Sequence, residues 1–211
     1  MIWWKLIPAL LGGYLLGSIS VAVLLTNRLS KGDIRKQGSG NAGATNVARV
    51  YGIWVGLATL VGDGVKTALA MYLGSLIAGN PGMVIAAFGC LMGHCFPLYF
   101  GFRGGKAVSV SAAIGLFLDW RFFLILVAVF FLTFLVTKRV SACSMTAAVA
   151  YPLGMLALNS FPWYALALGC FAWYALALGG FITVFVIFMH RENLKRLLKG
   201  TEPKFTLGSR K

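Results

Sequence analysis

The sequence predicts an all-α fold: a polytopic membrane helix bundle of seven transmembrane helices, with the N-terminus outside and the C-terminus cytoplasmic. Three observations predict it. First, of 211 residues 59% are hydrophobic and 14% aromatic while only 11% are charged, and the mean hydropathy is +0.84. That composition suits a bilayer rather than a water-soluble domain. Second, the apolar residues gather in runs on the scale of the roughly 20 residues a spanning helix needs. Third, lysine and arginine fall almost wholly into alternate loops. Residues 1–211 therefore read as a single integral-membrane domain, with no stretch left over for a soluble catalytic one.

The first run, 3–26, is too long for the core of a signal peptide and leads into more membrane-like sequence, so it is expected to be a retained helix. A polar stretch, 27–49, follows. Further apolar runs lie at 51–78, 82–101, 107–118, 122–137, 142–158 and 161–189. Loop chemistry separates them at Asn80-Pro81-Gly82, Arg103-Gly104-Gly105, Asp119-Trp120-Arg121, Lys138-Arg139 and Ser160-Phe161-Pro162. The run 107–118 is the weakest. Its length gives a rise of about 18 Å against a hydrocarbon core of about 30 Å, so it borrows flanking residues to span or pairs with the next run as a re-entrant hairpin. Spanning is the expectation.

Lysine and arginine accumulate in cytoplasmic loops, so their count gives sidedness. Of the nineteen, sixteen fall on one side, only Lys5 and Arg121 on the other, and Lys66 lies inside a span. The orientation survives removal of the fourth and fifth spans as a pair, and it turns every polar, glycine-rich segment to the cytoplasm. A short repeat at 163–169 and 173–179 reads as local duplication. Its period rotates a helix by about 280° beyond whole turns, so the two copies face different directions. No repeat of helical bundles is visible, which counts against a secondary transporter.

The net charge of +14 attracts anions, either phosphates or lipid headgroups. Nineteen basic against five acidic residues exclude a carboxylate-rich metal enzyme. Neither metal nor cofactor is expected, and the partners are small anions and membrane lipid rather than nucleic acid. Cys90, Cys95, Cys143 and Cys170 form no CxxC pair and read as buried small hydrophobes.

Four segments carry chemistry. In 38–49, glycines let backbone N–H groups approach an oxyanion, and a helix start adds its positive end. Ser39, Gly40, Asn41, Thr45 and Asn46 offer donors there, and Arg49 adds a fork suited to phosphate. In the second segment, His94 precedes Phe102-Arg103-Gly104-Gly105-Lys106, a turn that can wrap an anion while lysine supplies charge. It is not a nucleotide P-loop, because Phe100 and Ala107 stand where that motif needs glycine and a hydroxyl. His94 with Cys90 and Cys95 lacks a fourth ligand for zinc. Third, Asp63 and Lys66 sit at i, i+3 within the second span, where ionisable groups are costly unless paired, and such residues default to a functional site over a structural ion pair. Fourth, the basic tail after the last span lies on anionic lipid, while His190 and Asn193 share one face at the span's exit.

Together these segments resemble the acyl-phosphate-dependent glycerol-3-phosphate acyltransferases of bacterial membranes, the PlsY family. The resemblance covers nearly the whole chain in order: Gly-Ser-Gly-Asn-x-Gly-x-Thr-Asn-x-x-Arg at 38–49, Asp-x-x-Lys at 63–66, His-x-x-Pro with Phe-x-Gly-Gly-Lys at 94–106, and His-x-x-Asn-x-x-Arg-Leu-x-x-Gly-x-Glu at 190–202. Thr67 and Ala107 depart from it, standing where the family usually has glycine. The resemblance implies a seven-span enzyme of the bacterial cytoplasmic (inner) membrane. It implies transfer of a fatty acyl group from acyl phosphate to the 1-hydroxyl of glycerol 3-phosphate, giving lysophosphatidic acid and phosphate. By resemblance, Gly104, Gly105 and Lys106 hold glycerol 3-phosphate, and Ser39 and Arg49 lie close to the reacting phosphates. His190 and Asn193 orient the attacking hydroxyl, Glu202 is structural, and Ser144 is a better candidate than Ser141. Acyl phosphate has a good leaving group, so alignment and stabilisation of a tetrahedral oxyanion suffice. The rival readings are a transporter of an organophosphate anion and a non-catalytic lipid-binding subunit. The outer loops contain almost no binding chemistry, which disfavours transport.

Overall fold

The computed structural model describes residues 3–29, 32–157 and 171–206, and every regular element among them is helical. The first copy of the short repeat, Cys170 and the ends of two expected spans lie outside the described residues. The chain divides into two compact units, Met1–Ala113 with Thr206–Lys211, and Ile114–Phe205.

In the first unit the expected first helix is broken into α1 (Trp3–Gly17) and α2 (Val21–Arg28). At the break the Ser18 hydroxyl donates to Tyr14 O, while the Gly17 and Ile19 carbonyls receive the Lys66 ammonium at 3.1 and 2.9 Å. A helix interrupted at membrane depth needs such partners for its freed carbonyls. After the short α3 (Ala44–Tyr51) comes α4 (Ile53–Cys95), whose backbone leaves helical geometry at Ala78 and at Gly79, φ 62° and ψ −148°. Gly79 supplies a conformation that side chains resist. Gly74 abuts Gly82 and Ala86, whereas eight residues of continuous helix would part 74 from 82 by about 12 Å. The arms 53–77 and 80–95 therefore fold back on each other at the turn expected from Asn80-Pro81-Gly82.

Glycines set the packing of α1 on the second arm. A Cβ on Gly13 or Gly17 would strike the Ala86 or Cys90 backbone, and one on Gly89 or Gly93 the backbone of α1 around Gly13 and Gly17. Without a hydrophobic driving force between helices in lipid, small residues that allow close backbone approach supply the contact area. At one end of this unit Ala22, Val23, Ile34, Ala42 and Val47 form a small core that seats the loop between α2 and α3.

The boundary between the units falls inside α5 (Val108–Leu118), whose eleven residues rise only about 16 Å. The second unit continues with α6 (Trp120–Thr137), α7 (Val140–Ala157), α8 (Phe171–Met189) and α9 (Arg191–Leu198). Asp119 caps α6 by accepting the Arg121 N–H at 2.8 Å. Phe122 meets Tyr151 edge to face at 4.6 Å between ring centroids. The chain bends by 62° from α8 into α9, at His190. By length and apolar composition, Trp3–Arg28, Ile53–Phe100 and Trp120–Thr137 qualify to cross a membrane, and α8 with α9 adds one bent span; α5 and α7 are shorter apolar helices. Among the described residues the architecture is all-helical, that of a membrane protein.

Candidate active site

The 38–43 loop is folded by Asn46, one of its expected binding residues. Asn46 is 1% exposed. Its Oδ1 accepts the Ser39 N–H at 2.8 Å, and its Nδ2 donates to Gln37 O, Asn41 O and Ile34 O at 2.9, 3.0 and 3.3 Å. The side chain thus replaces a turn's own hydrogen bonds. Gly38 and Gly40 have φ of 56° and 73°, so the chain turns where only glycine is unstrained. The result leaves Ser39 and Gly40 exposed and Asn41 half-buried, with Thr45 in the first turn of α3 and Arg49 half-buried in its last.

Asp33 and Arg35, which lie outside every motif named above, clamp this loop to the next. Asp33 accepts Arg35 N at 2.9 Å, Nε at 3.0 Å and the terminal nitrogen at 2.7 Å. The Arg35 hydrogen bond holds the Asp33 carboxyl below the usual carboxylate range against an opposing desolvation. Arg35 also donates to the Phe100 carbonyl. A cleft of about 570 Å³ opens here, lined by Asp33, Arg35, Lys36, Gly40, Phe100, Gly101, Arg103 and Gly104. It brings Gly40 and Gly104, from two separate motifs, to one concave basic surface. The local signal was the Asp-x-Arg spacing, which suits a carboxylate-capped turn.

The Gly104 and Gly105 N–H groups donate to Cys95 O and His94 O at 3.1 and 3.0 Å. They are committed to closing the turn. Both glycines are needed for close approach: a Cβ on Gly104 would meet His94 O and Pro97, and one on Gly105 would meet the His94 ring. Lys106 follows, half-buried. Ala107, next in the chain, has φ 70° and is fully buried. That left-handed conformation is the physical reason a glycine suits this position.

Behind the turn lies a buried knot of Asp63, Lys66, His94 and Ser109, exposed by 1, 6, 5 and 8%. Lys66 Nζ is 2.9 Å from Asp63 Oδ1 and 3.2 Å from His94 Nδ1, in addition to the two carbonyls of the α1–α2 break. Ser109 donates to Asp63 Oδ2 at 2.6 Å. Thr67, the other departure from the family pattern, turns its hydroxyl back to Asp63 O at 2.7 Å. Asp63, Lys66, His94 and Gly105 are thus brought together, and four acceptors share the three N–H groups of Lys66.

In the second unit His190 stands at the bend with Nδ1 2.8 Å from Val186 O. A carbonyl only accepts, so Nδ1 carries the proton and, in the neutral ring, Nε2 carries the lone pair. Asn193 donates its amide to Glu202 Oε1 at 2.7 Å, and Ser141 donates to the same oxygen at 2.6 Å. Arg196 Nε reaches Oε2 at 2.7 Å and Arg139 Nε reaches the Glu202 carbonyl at 2.9 Å. Burial pushes the Glu202 carboxyl up, but the bonds from Ser141, Asn193 and Arg196 together hold it below the usual glutamate range. Ser144 bonds back to Val140 O at 2.9 Å.

The family profile for glycerol-3-phosphate acyltransferase matches residues 7–200. A glycerol-3-phosphate acyltransferase of Synechococcus is 41% identical over 202 residues, covering 96% of this chain and 94% of that protein. One of Brucella anthropi is 39% identical over 199 residues, covering 94% and 92%. Among solved structures, the glycerol 3-phosphate form of PlsY (YgiH), an integral membrane glycerol 3-phosphate acyltransferase, aligns with a TM-score of 0.79 at 29% identity, covering 97% of this chain and 96% of that one. Its lysophosphatidic acid form aligns with the same score at 28% identity, covering 96% of each. With nearly its whole length matched in sequence and in fold, the chain belongs to the glycerol-3-phosphate acyltransferase family.

Proposed function

We infer that this protein transfers a fatty acyl group to the 1-hydroxyl of glycerol 3-phosphate, giving lysophosphatidic acid. The family match across residues 7–200 carries the reading. The donor we propose is acyl phosphate, with phosphate as the leaving group, no metal and no cofactor. The site we propose binds phosphate with Ser39, Gly40, Asn41, Thr45 and Arg49 and with the turn that carries Lys106. The basic cleft rimmed by Arg35, Lys36 and Arg103 supports an anionic ligand. Because Asn46 is occupied in folding its loop and Lys66 with Asp63 in the buried knot, their part is to hold geometry. For the second unit we propose that His190 accepts a hydrogen bond from the attacking hydroxyl at Nε2, that Asn193 helps fix that hydroxyl, and that Ser144 is a further contact.

The setting is the bacterial inner membrane, with residues 1–211 working as one domain, the N-terminus outside and the C-terminus cytoplasmic. Seven spans are supported by counting α1 with α2, the two arms of α4, α5, α6, α7 and α8. The test is an assay with purified protein, acyl phosphate and labelled glycerol 3-phosphate, read as labelled lysophosphatidic acid. Full activity is expected in chelator and none with an acyl thioester. Strict dependence on a divalent metal, or equal turnover of the thioester, contradicts the proposed donor chemistry.

A further inference from the structure

Lys66 has no unoccupied donor and stands behind the turn. An ammonium carries three N–H groups and no lone pair. Here it faces Gly17 O, Ile19 O, Asp63 Oδ1 and His94 Nδ1, all within 3.2 Å. Four acceptors therefore share three N–H groups, and a proton on His94 Nδ1 would face an ammonium that has no lone pair to receive it; the favoured tautomer turns the Nδ1 lone pair to Lys66 and carries its proton on Nε2. Asp63 Oδ1, at 3.6 Å from Nδ1, is beyond hydrogen-bond range and does not compete for that position. Nε2 is directed at Gly105, where a Cβ would overlap it, and the His94 carbonyl takes the Gly105 N–H at 3.0 Å. His94 therefore packs its ring against the turn and holds the Gly105 N–H with its main-chain carbonyl. Lys66 sets which edge of the ring is presented. The other imidazole in the chain, His190, is held the opposite way, with its proton on Nδ1 toward Val186 O.

We propose that Lys66 is a positioning residue of the acceptor site: it ties the α1–α2 break to His94, locks His94 as the Nε2–H tautomer against Gly105, and so sets the turn that presents Lys106. The functional half rests on the reading above that this turn holds glycerol 3-phosphate, whereas the tautomer half stands on geometry alone. A buried lysine–aspartate pair that only fastened helices would leave the imidazole proton and the affinity for one substrate unchanged.

The experiment uses the full chain in detergent micelles, labelled with ¹⁵N-histidine. The two rings are expected to show opposite tautomers, with His94 identified by the signals that remain in His190→Gln. In Lys66→Met the Nδ1 partner is gone and the His94 signals are expected to average between tautomers. A wild-type His94 protonated on Nδ1 overturns the proposal. In kinetics, Lys66→Met is expected to raise KM for glycerol 3-phosphate by about 10- to 100-fold and to leave KM for the acyl donor within about twofold, as displacement of a binding turn does. His94→Gln, whose amide N–H replaces Nε2–H, is expected to keep most of the affinity that His94→Ala loses. If Lys66→Met does not fold, this pair decides, and equal losses overturn the proposal. Lys106→Met serves as the reference. A raised KM there with an unchanged KM in Lys66→Met overturns the positioning role alone; an unchanged KM in Lys106→Met removes the turn from the site and takes both readings with it.

Discussion

Each unit buries a carboxylate, Asp63 in the first and Glu202 in the second, at 1 and 6% exposure. Each receives a serine hydroxyl at 2.6 Å and a basic side chain, Lys66 at 2.9 Å and Arg196 at 2.7 Å. The chemistry is alike and the settings differ. The Lys66 side chain is 6% exposed, and its other neighbours are the His94 ring and two main-chain carbonyls of a broken span, so the charge is enclosed by protein on every side the structure describes. The Arg196 side chain is 44% exposed and lies on a polar helix after the last span. An ion pair inside a membrane span costs much to break because the surviving charge keeps its desolvation. A pair at the edge loses its hydrogen bonds but recovers solvation. The first cluster determines local architecture, while the second fastens a tail.

The largest effect is expected from Asp63→Ala. Leaving the Lys66 ammonium without its counter-charge is expected to cost about 3–5 kcal/mol, read as a lower melting temperature in micelles with a thiol-reactive dye that reports the buried Cys90, Cys95 and Cys143. An unchanged melting point would mean that the break and His94 hold Lys66 without Asp63. Glu202→Ala removes the acceptor of Ser141, Asn193 and Arg196 and is expected to cost about 2 kcal/mol in tail anchoring. Hydrogen exchange should rise at the Thr201 and Phe205 N–H groups, which bond to Arg196 O and Lys138 O. Equal protection in both proteins would show that the backbone bonds suffice.

Acid sharpens the contrast. The Glu202 carboxyl lies below the usual glutamate range, so its contribution is complete above that range and fades as pH falls through its lowered value. Protection of the tail amides should therefore drop in the wild type only once the pH has fallen below the usual glutamate range, and Glu202→Gln should lack this acid step. The smallest effect belongs to Ala107→Gly. Relief of a left-handed alanine, less the entropy that glycine brings, should stabilise by about 0.5–1 kcal/mol. A melting point that falls instead would place the value of Ala107 in its packing.

The candidate site's local structure was largely legible in the sequence because it is local in the chain. The 38–49 run, the Gly-Gly-Lys turn and the Asp-x-x-Lys spacing are short-range patterns, and the hydrogen bonds that close the first two are made within or beside them. What could not be read was the destination of each polar side chain. Asn46 has the same composition as a phosphate ligand and is a turn former. Asn193 shares a helix face with His190 and donates to a residue nine positions on. Ser109 carries no motif, yet it completes the Asp63 shell across 46 residues.

The same division holds for the fold. Length, hydropathy and the turn residues determined by themselves that the chain is a helical membrane protein, that 53–95 reverses near Asn80-Pro81-Gly82, and that α5 is short, because apolar run length and turn chemistry act over a few neighbouring residues. Family membership is determined in the same way, by motifs contiguous enough to be recognised one by one. Only the tertiary structure decided that the first span breaks at 18–20, since a break is tolerated there because Lys66, 47 and 49 residues away, takes the freed carbonyls. It also decided that Ala107 is left-handed, that the glycines at 104 and 105 make room for His94, and which nitrogen of each imidazole is protonated. These depend on which donors and acceptors meet in a medium without water to satisfy them, and that meeting is set by packing rather than by order in the chain.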